Sequence, residues 1–221
     1  MLPKALILDF DGLMIDSEMA IAATWRELYA RYDLDFPERF WRSMVGTREN
    51  DDLLWNDLAE RTGLVLDLAV LEPARRARGL ELASELPLLP GVAEHLDAAA
   101  EAGIALAVAS SSSDRWVSGH LARLGLLDRF AHVCTRELAA RSKPDPGVYL
   151  VALDRLGVAA GDALAYEDSA PGVSSAKAAG LRVVAVPGSF TEAMDFSAAD
   201  VVLSTLAEME PAILWGQLDA G

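Results

Sequence analysis

The sequence predicts an α/β fold, a doubly wound parallel sheet interrupted by an inserted all-helical domain. Three observations predict it. Short continuous apolar runs, of the kind that suits strands buried on both faces, recur along the chain. Stretches with helical apolar spacing lie between them, several followed by a glycine that can end the helix. Roughly ninety residues separate the first apolar run from the second, far more than one crossover helix needs.

Taken in order, residues 5–8 form the first strand and end at Asp9. From about residue 17 to 86 there are amphipathic stretches at 20–32, 38–44, 49–61 and 69–84 and no convincing strand, so this interval reads as a helical cap. Ile15-Asp16-Ser17 is the outgoing linker, and Leu86-Pro87-Leu88-Leu89-Pro90-Gly91 has the prolines and glycine of a stiff return. The expected division is 1–16 and 87–221 for the core and 17–86 for the cap. The core resumes with a helix over 91–102, a strand over 104–109, a helix over 115–124 and a short strand over 132–134. A helix over 147–156, a strand over 163–166, a helix over 171–179 and strands over 181–186 and 201–203 complete the alternation. Trp25, Trp41 and Trp55 are expected in the cap's core, and Arg75, Arg76 and Arg78 on a solvated helix face.

Composition narrows the function. Of 221 residues, 52% are hydrophobic and 24% charged, which excludes disorder as the main state. With 19 Lys and Arg against 34 Asp and Glu the net charge is -15, so nucleic acid and anionic membrane surfaces are poor partners. The single cysteine, Cys134, cannot form an intrachain disulfide and fits a reducing cytoplasm. The apolar run near the start is too short for a signal or a membrane span, so a cytoplasmic location is expected, and nothing implies a protein partner.

The chemistry gathers at the ends of the predicted strands. The first strand runs directly into Asp9-Phe10-Asp11-Gly12, at the edge where open α/β sheets bind ligands. Alone, the pair is equally read as capping. The second strand ends in Ser110-Ser111-Ser112-Ser113, whose hydroxyls and turn amides suit phosphate oxygens but also describe a polar turn. In Ser142-Lys143-Pro144-Asp145-Pro146, Asp145 is expected as a helix N-cap and Pro146 as the first helical residue, fixing the backbone beside Lys143. Another buried-type strand empties into Glu167-Asp168 before a helix. Two like charges 4 Å apart repel by roughly 4 kcal/mol at an effective dielectric of 20. Asp9, Asp11, Glu167 and Asp168 at neighbouring strand ends therefore call for a cation, and an oxygen-only donor set shared with a phosphate favours Mg2+. His95, His120 and His132 lack ligand spacing, and Met14-Ile15 either lines the cleft or packs.

At these residues the sequence resembles the haloacid dehalogenase-like (HAD) hydrolases, in the branch with a helical cap after the first strand. Asp9-Phe10-Asp11-Gly12, Ser110, Lys143 and Glu167-Asp168 stand in the order of that family's four motifs, and the match covers essentially the whole chain. The pattern is most similar to the β-phosphoglucomutase and sugar-phosphate phosphatase subgroup. The resemblance implies a HAD-like Rossmannoid core, Asp9 as nucleophile through an aspartyl-phosphate, and Asp11 as general acid/base. It implies Mg2+ held by Asp9, the Asp11 main-chain carbonyl and Asp168, with Glu167 as a direct or outer ligand, while Ser110, Ser111 and Lys143 take the phosphate. The expected function is a Mg2+-dependent phosphatase acting on a small phosphorylated metabolite. A sugar phosphomutase is the alternative, weakened because Ile21 stands where mutase relatives carry a gating histidine. A receiver-like phospho-acceptor is a third reading, and it gives no reason for a cap. The family's cap segment resembles Val45-Gly46-Thr47-Arg48-Glu49, in which Arg48 either reaches a distal substrate anion or is a solvated helix-start arginine.

Overall fold

A computed structural model describes residues 2–45 and 52–219. Six strands, β1 (Ala5–Leu8), β2 (Ala105–Ala109), β3 (His132–Cys134), β4 (Ala163–Glu167), β5 (Arg182–Ala185) and β6 (Val201–Val202), form one sheet in the order β3-β2-β1-β4-β5-β6. Every pairing is parallel. The order reverses at β1, the topological position where doubly wound sheets open a crevice beyond the carboxyl ends of their strands. Leu8 is in register with Val108 and Tyr166, so the residues that follow leave the sheet at one level.

Helices cover both faces. The chain continues from β1 into α1 (Ser17–Ala30), α2 (Glu38–Met44), α3 (Leu53–Thr62) and α4 (Leu68–Ala83). Then come α5 (Val92–Glu101), α6 (Asp114–Arg123), α7 (Gly147–Leu156), α8 (Ala170–Ala178) and α9 (Pro211–Asp219). Alternation along the strands sorts the two faces. Leu6, Leu8, Leu106, Val108, Leu164 and Tyr166 pack with residues of α5, α6 and α9. Ala5, Ile7, Ala107, Ala109, Ala163 and Ala165 face α7 and α8. The small strand residues on this second face leave room for Tyr149, which α7 buries completely. On the first face His95 Nδ1 lies 2.9 Å from the Tyr166 hydroxyl, which also accepts the Trp215 indole N–H at 2.7 Å, tying α9 to the sheet.

The helices between β1 and α5 have an apolar cluster of their own, built on Trp25, Tyr29, Trp41, Leu54 and Trp55 and joined by Phe190 from the loop after β5. Trp25, Trp41 and Trp55 are buried there. No described helix is long and apolar enough to cross a membrane.

Several expectations need correcting. Arg75 is not on a solvated face: it is bonded to Glu72 and to Thr24 Oγ1, and its guanidinium lies 4.4 Å from the centroid of the Trp25 ring. A long aliphatic stem with a planar head can pack on an aromatic in this way. Of the two readings of Met14-Ile15, packing holds, since both are fully buried in the main core. Pro146, not Asp145, is the N-cap of α7, although Asp145 Oδ1 still accepts the Gly147 N–H at 2.9 Å. The C-terminal helix α9 was not anticipated at all.

Candidate active site

The carboxylates reach the site on strand ends or just after them, and Lys143 on the loop before α7. Asp9 follows β1 and is 6% exposed, and its backbone N–H bonds Tyr166 O at 2.9 Å, continuing the ladder one residue beyond the strand. Glu167 is the last residue of β4 and fully buried, with Asp168 directly after it. Lys143, on the loop before α7, places its ammonium 2.5 Å from Asp9 Oδ1 and 2.5 Å from Glu167 Oε1. Carboxylate oxygens of Asp9, Glu167 and Asp168 lie within 4.8 Å of one another.

Three buried carboxylates thus share one ammonium. Burial raises the Asp9 pKa to about 7, with Glu167 and Asp11 adding to the rise and Lys143 opposing it. Burial, then the charges of Asp9 and Glu167, push Asp168 well above the usual carboxylate range. Burial alone would depress Lys143, yet Asp9 and Glu167 hold it above its ordinary value. Such a cluster is stable at neutral pH only with protons or a further cation. Glu167 Oε2 is buried with no partner among the described residues, an orphan acceptor facing the same need. All the donors are carboxylate oxygens, which fits a hard divalent ion such as Mg2+.

Two glycines make the approach possible. A Cβ on Gly12, whose φ is +79°, would lie 2.2 Å from Asp168 Oδ2. A Cβ on Gly172 would lie 1.9 Å from Glu167 Oε2. Position 172 starts α8 against the acid pair, with Ser169 Oγ accepting the Gly172 N–H at 3.3 Å as its cap.

Asp11 has a different environment. Its Oδ1 accepts from Ser17 Oγ at 2.5 Å and from the Trp116 indole N–H at 2.8 Å, and its Oδ2 accepts from Ser112 Oγ at 2.6 Å. No cation touches it among the described residues. It also stands outside the group formed by the other three carboxylates. Ser110 is buried after β2, its Oγ accepting the Ser112 N–H at 3.0 Å, while Ser111 Oγ accepts the Lys143 backbone N–H at 3.4 Å. Both serines lie on the turn after β2 whose hydroxyls bond the Lys143 backbone and Asp11. Arg48 lies outside the described residues.

Sequence reasoning did not single out Ser17, Ser112, Trp116 or Tyr149. The Tyr149 hydroxyl donates to Glu167 Oε1 at 2.5 Å. Ser17 stands in the linker already identified, and Trp116 in the first turn of α6 after the serine run, but neither position reveals a bond to Asp11 until the elements are packed. Glu18, in the first turn of α1, lines a cleft with Gly12, Asp168, Gly188 and Phe190. Burial, followed by the charges of Asp11, Asp9 and Asp16, raises its pKa to about 8.

The family model described as haloacid dehalogenase-like hydrolase matches residues 3–180. The chain belongs to that family. YhcW of Bacillus subtilis, named as a phosphatase, is 36% identical over 98% of this chain and 98% of its own. Hexitol phosphatase B of Escherichia coli K12 is 32% identical over 96% of each chain. The crystal structure of CbbY from Rhodobacter sphaeroides in complex with phosphate superposes with a TM-score of 0.79 at 28% identity, covering 94% of this chain and 96% of that one. A variant of the same CbbY was crystallised with xylulose-(1,5)bisphosphate. Family, α/β fold and hydrolase class therefore agree with the sequence expectation, and YhcW and hexitol phosphatase B carry phosphatase names.

Proposed function

We propose that this chain is a Mg2+-dependent phosphatase of a small sugar phosphate, working in a reducing cytoplasm through Asp9. The observation that carries the reading is the contrast between Asp9, pressed against Lys143 and two more buried carboxylates, and Asp11, held by three neutral donors. Bound by Asp9, Asp168, the Asp11 main-chain carbonyl and Glu167 directly or through water, Mg2+ would offset the carboxylate charge and polarise the phosphoryl group.

The chain's own residues then divide the work. One Asp9 carboxylate oxygen attacks phosphorus and the bond from phosphorus to the substrate oxygen breaks, that oxygen taking the proton of Asp11. Water attacks the aspartyl-phosphate and gives its proton back to Asp11, and the bond to Asp9 breaks to release inorganic phosphate. Lys143, Ser110 and Ser111 hold the equatorial oxygens, whose charge grows in the transition state. The helices of 17–86 act as the cap over this edge of the sheet, and Arg48 is the cap's candidate for a distal anion.

Sugar phosphates are favoured as substrates by the names of the relatives and by the cleft, whose Glu18 suits hydroxyl donors. Water is the acceptor, since Ile21 offers no group to return a phosphoryl to sugar. A panel of sugar, polyol and nucleotide phosphates assayed for inorganic phosphate, with wild type beside Asp9→Asn, tests the reading. Mg2+-dependent release abolished in the variant is expected. With β-glucose 1-phosphate and a trace of its bisphosphate, rapid glucose 6-phosphate with little free phosphate would make it a mutase instead.

A further inference from the structure

We propose that Tyr149 is a positioning residue for the metal-side carboxylate Glu167, and that its hydroxyl sets the affinity for Mg2+. The inference rests on the metal reading above and assigns a role to a side chain that has none in it. Tyr149 is fully buried, and nothing in packing alone requires an oxygen at its tip. That oxygen donates to Glu167 Oε1 at 2.5 Å, the same atom that accepts from Lys143 Nζ at 2.5 Å. The ammonium also lies 5.1 Å from the centroid of the Tyr149 ring, so one side chain braces both the acid and the base.

The consequence falls on the other carboxylate oxygen. With two donors on Oε1 the plane of the carboxylate is set, and Oε2 is left buried and without a partner among the described residues. The backbone of Gly172 borders Oε2 on the α8 side, where an added Cβ would lie 1.9 Å from it. A fixed acceptor with no donor among the described residues, on a carboxylate grouped with those of Asp9 and Asp168, is a preorganised ligand or an anchor for a metal-bound water. Outer hydrogen bonds of this kind commonly account for roughly tenfold to a hundredfold in metal affinity. Phenylalanine at 149 would keep the ring and its contact with Lys143 while freeing the carboxylate to turn.

The test is titration calorimetry of Mg2+ into metal-free protein, comparing wild type, Tyr149→Phe, Glu167→Gln and the double variant, with thermal unfolding in EDTA as the control for folding. Tyr149→Phe should weaken Mg2+ binding about tenfold or more. In the Glu167→Gln background the same change should add little, because the hydroxyl acts through that carboxylate. Substrate KM at saturating Mg2+ should stay close to wild type in Tyr149→Phe. Equal Mg2+ affinity in wild type and Tyr149→Phe, or an equal loss in both backgrounds, overturns the proposal and makes Tyr149 a packing residue. A wild type that binds no Mg2+ overturns the metal reading itself, a separate outcome. Should Tyr149→Phe unfold in EDTA, Glu167→Gln alone decides: unchanged Mg2+ affinity there removes the carboxylate through which Tyr149 is argued to act.

Discussion

Asp9 and Asp11 are two residues apart, yet they meet opposite surroundings. Asp9 stands among buried carboxylates with an ammonium against it, and Asp11 accepts three hydrogen bonds from a linker serine, a turn serine and an indole. In the proposed mechanism the same functional group takes two tasks. The proposed nucleophile must be a carboxylate, which Mg2+ and Lys143 would favour, whereas the proposed acid/base stands apart from them among neutral donors. Environment, more than residue type, assigns the roles.

The largest effect should come from breaking the Asp9 side. Asp9→Asn should lower turnover by about 10⁴-fold or more, measured as phosphate release at saturating Mg2+. Residual activity within tenfold of wild type would leave the two aspartates undistinguished. Next is Gly172→Ala, in which a Cβ drives into Glu167 Oε2. Overpacking of this kind costs roughly 1–3 kcal/mol, and Mg2+ affinity should fall with it. Thermal unfolding and Mg2+ titration read the two losses.

A third prediction concerns pH. The Asp9 pKa rises from an ordinary 3.8 to about 7 in the metal-free fold. The folded state therefore holds a proton that the unfolded chain has released. The stability this gives is fully present below pH 3.8 and is lost as pH rises through about 7. Asp168, also raised, acts in the same direction. In EDTA the melting temperature should fall over this window, and Mg2+ should stabilise the protein more at about pH 8 than at about pH 5. Equal stabilisation at both would mean that the carboxylate cluster is not where Mg2+ binds.

The smallest effect tests the Asp11 side. Trp116→Phe removes one of three donors, so kcat/KM for an alkyl phosphate should fall about threefold to tenfold, less than a full charge-assisted bond would imply. For p-nitrophenyl phosphate, whose leaving group departs without a proton, kcat/KM should not change. Equal losses on both substrates would show that Trp116 acts by packing, not through Asp11.

This contrast also explains what could be read from the sequence. Asp9, Glu167 and Asp168 end apolar runs, and a parallel sheet brings the carboxyl ends of neighbouring strands to one level, so their convergence followed from strand order alone. Lys143 was legible only together with the other motif segments, since a lone lysine in a loop before a helix otherwise reads as solvated surface. The partners of Asp11 were not, because Ser17, Ser112 and Trp116 come from three elements whose meeting depends on helix rotation and turn shape. Tyr149 was hidden for a related reason: its position in α7 marks it as core, and only the packing of α7 on small strand residues brings its hydroxyl to Glu167. Arg75 shows the limit from another side, since a basic residue in a charged helix looks solvated until Trp25 is found beneath it.

The division of labour between the two aspartates is tested most directly by mixing Asp11→Asn with p-nitrophenyl phosphate in the presence of Mg2+ and quenching in acid. The nitrophenolate leaves unaided, so phosphorylation should proceed while hydrolysis, which needs Asp11 as base, is slowed. A burst of about one nitrophenolate per enzyme is predicted, with mass spectrometry placing a phosphoryl group on Asp9. No burst and no phosphorylated peptide, or a phosphoryl group on any other residue, would contradict the account.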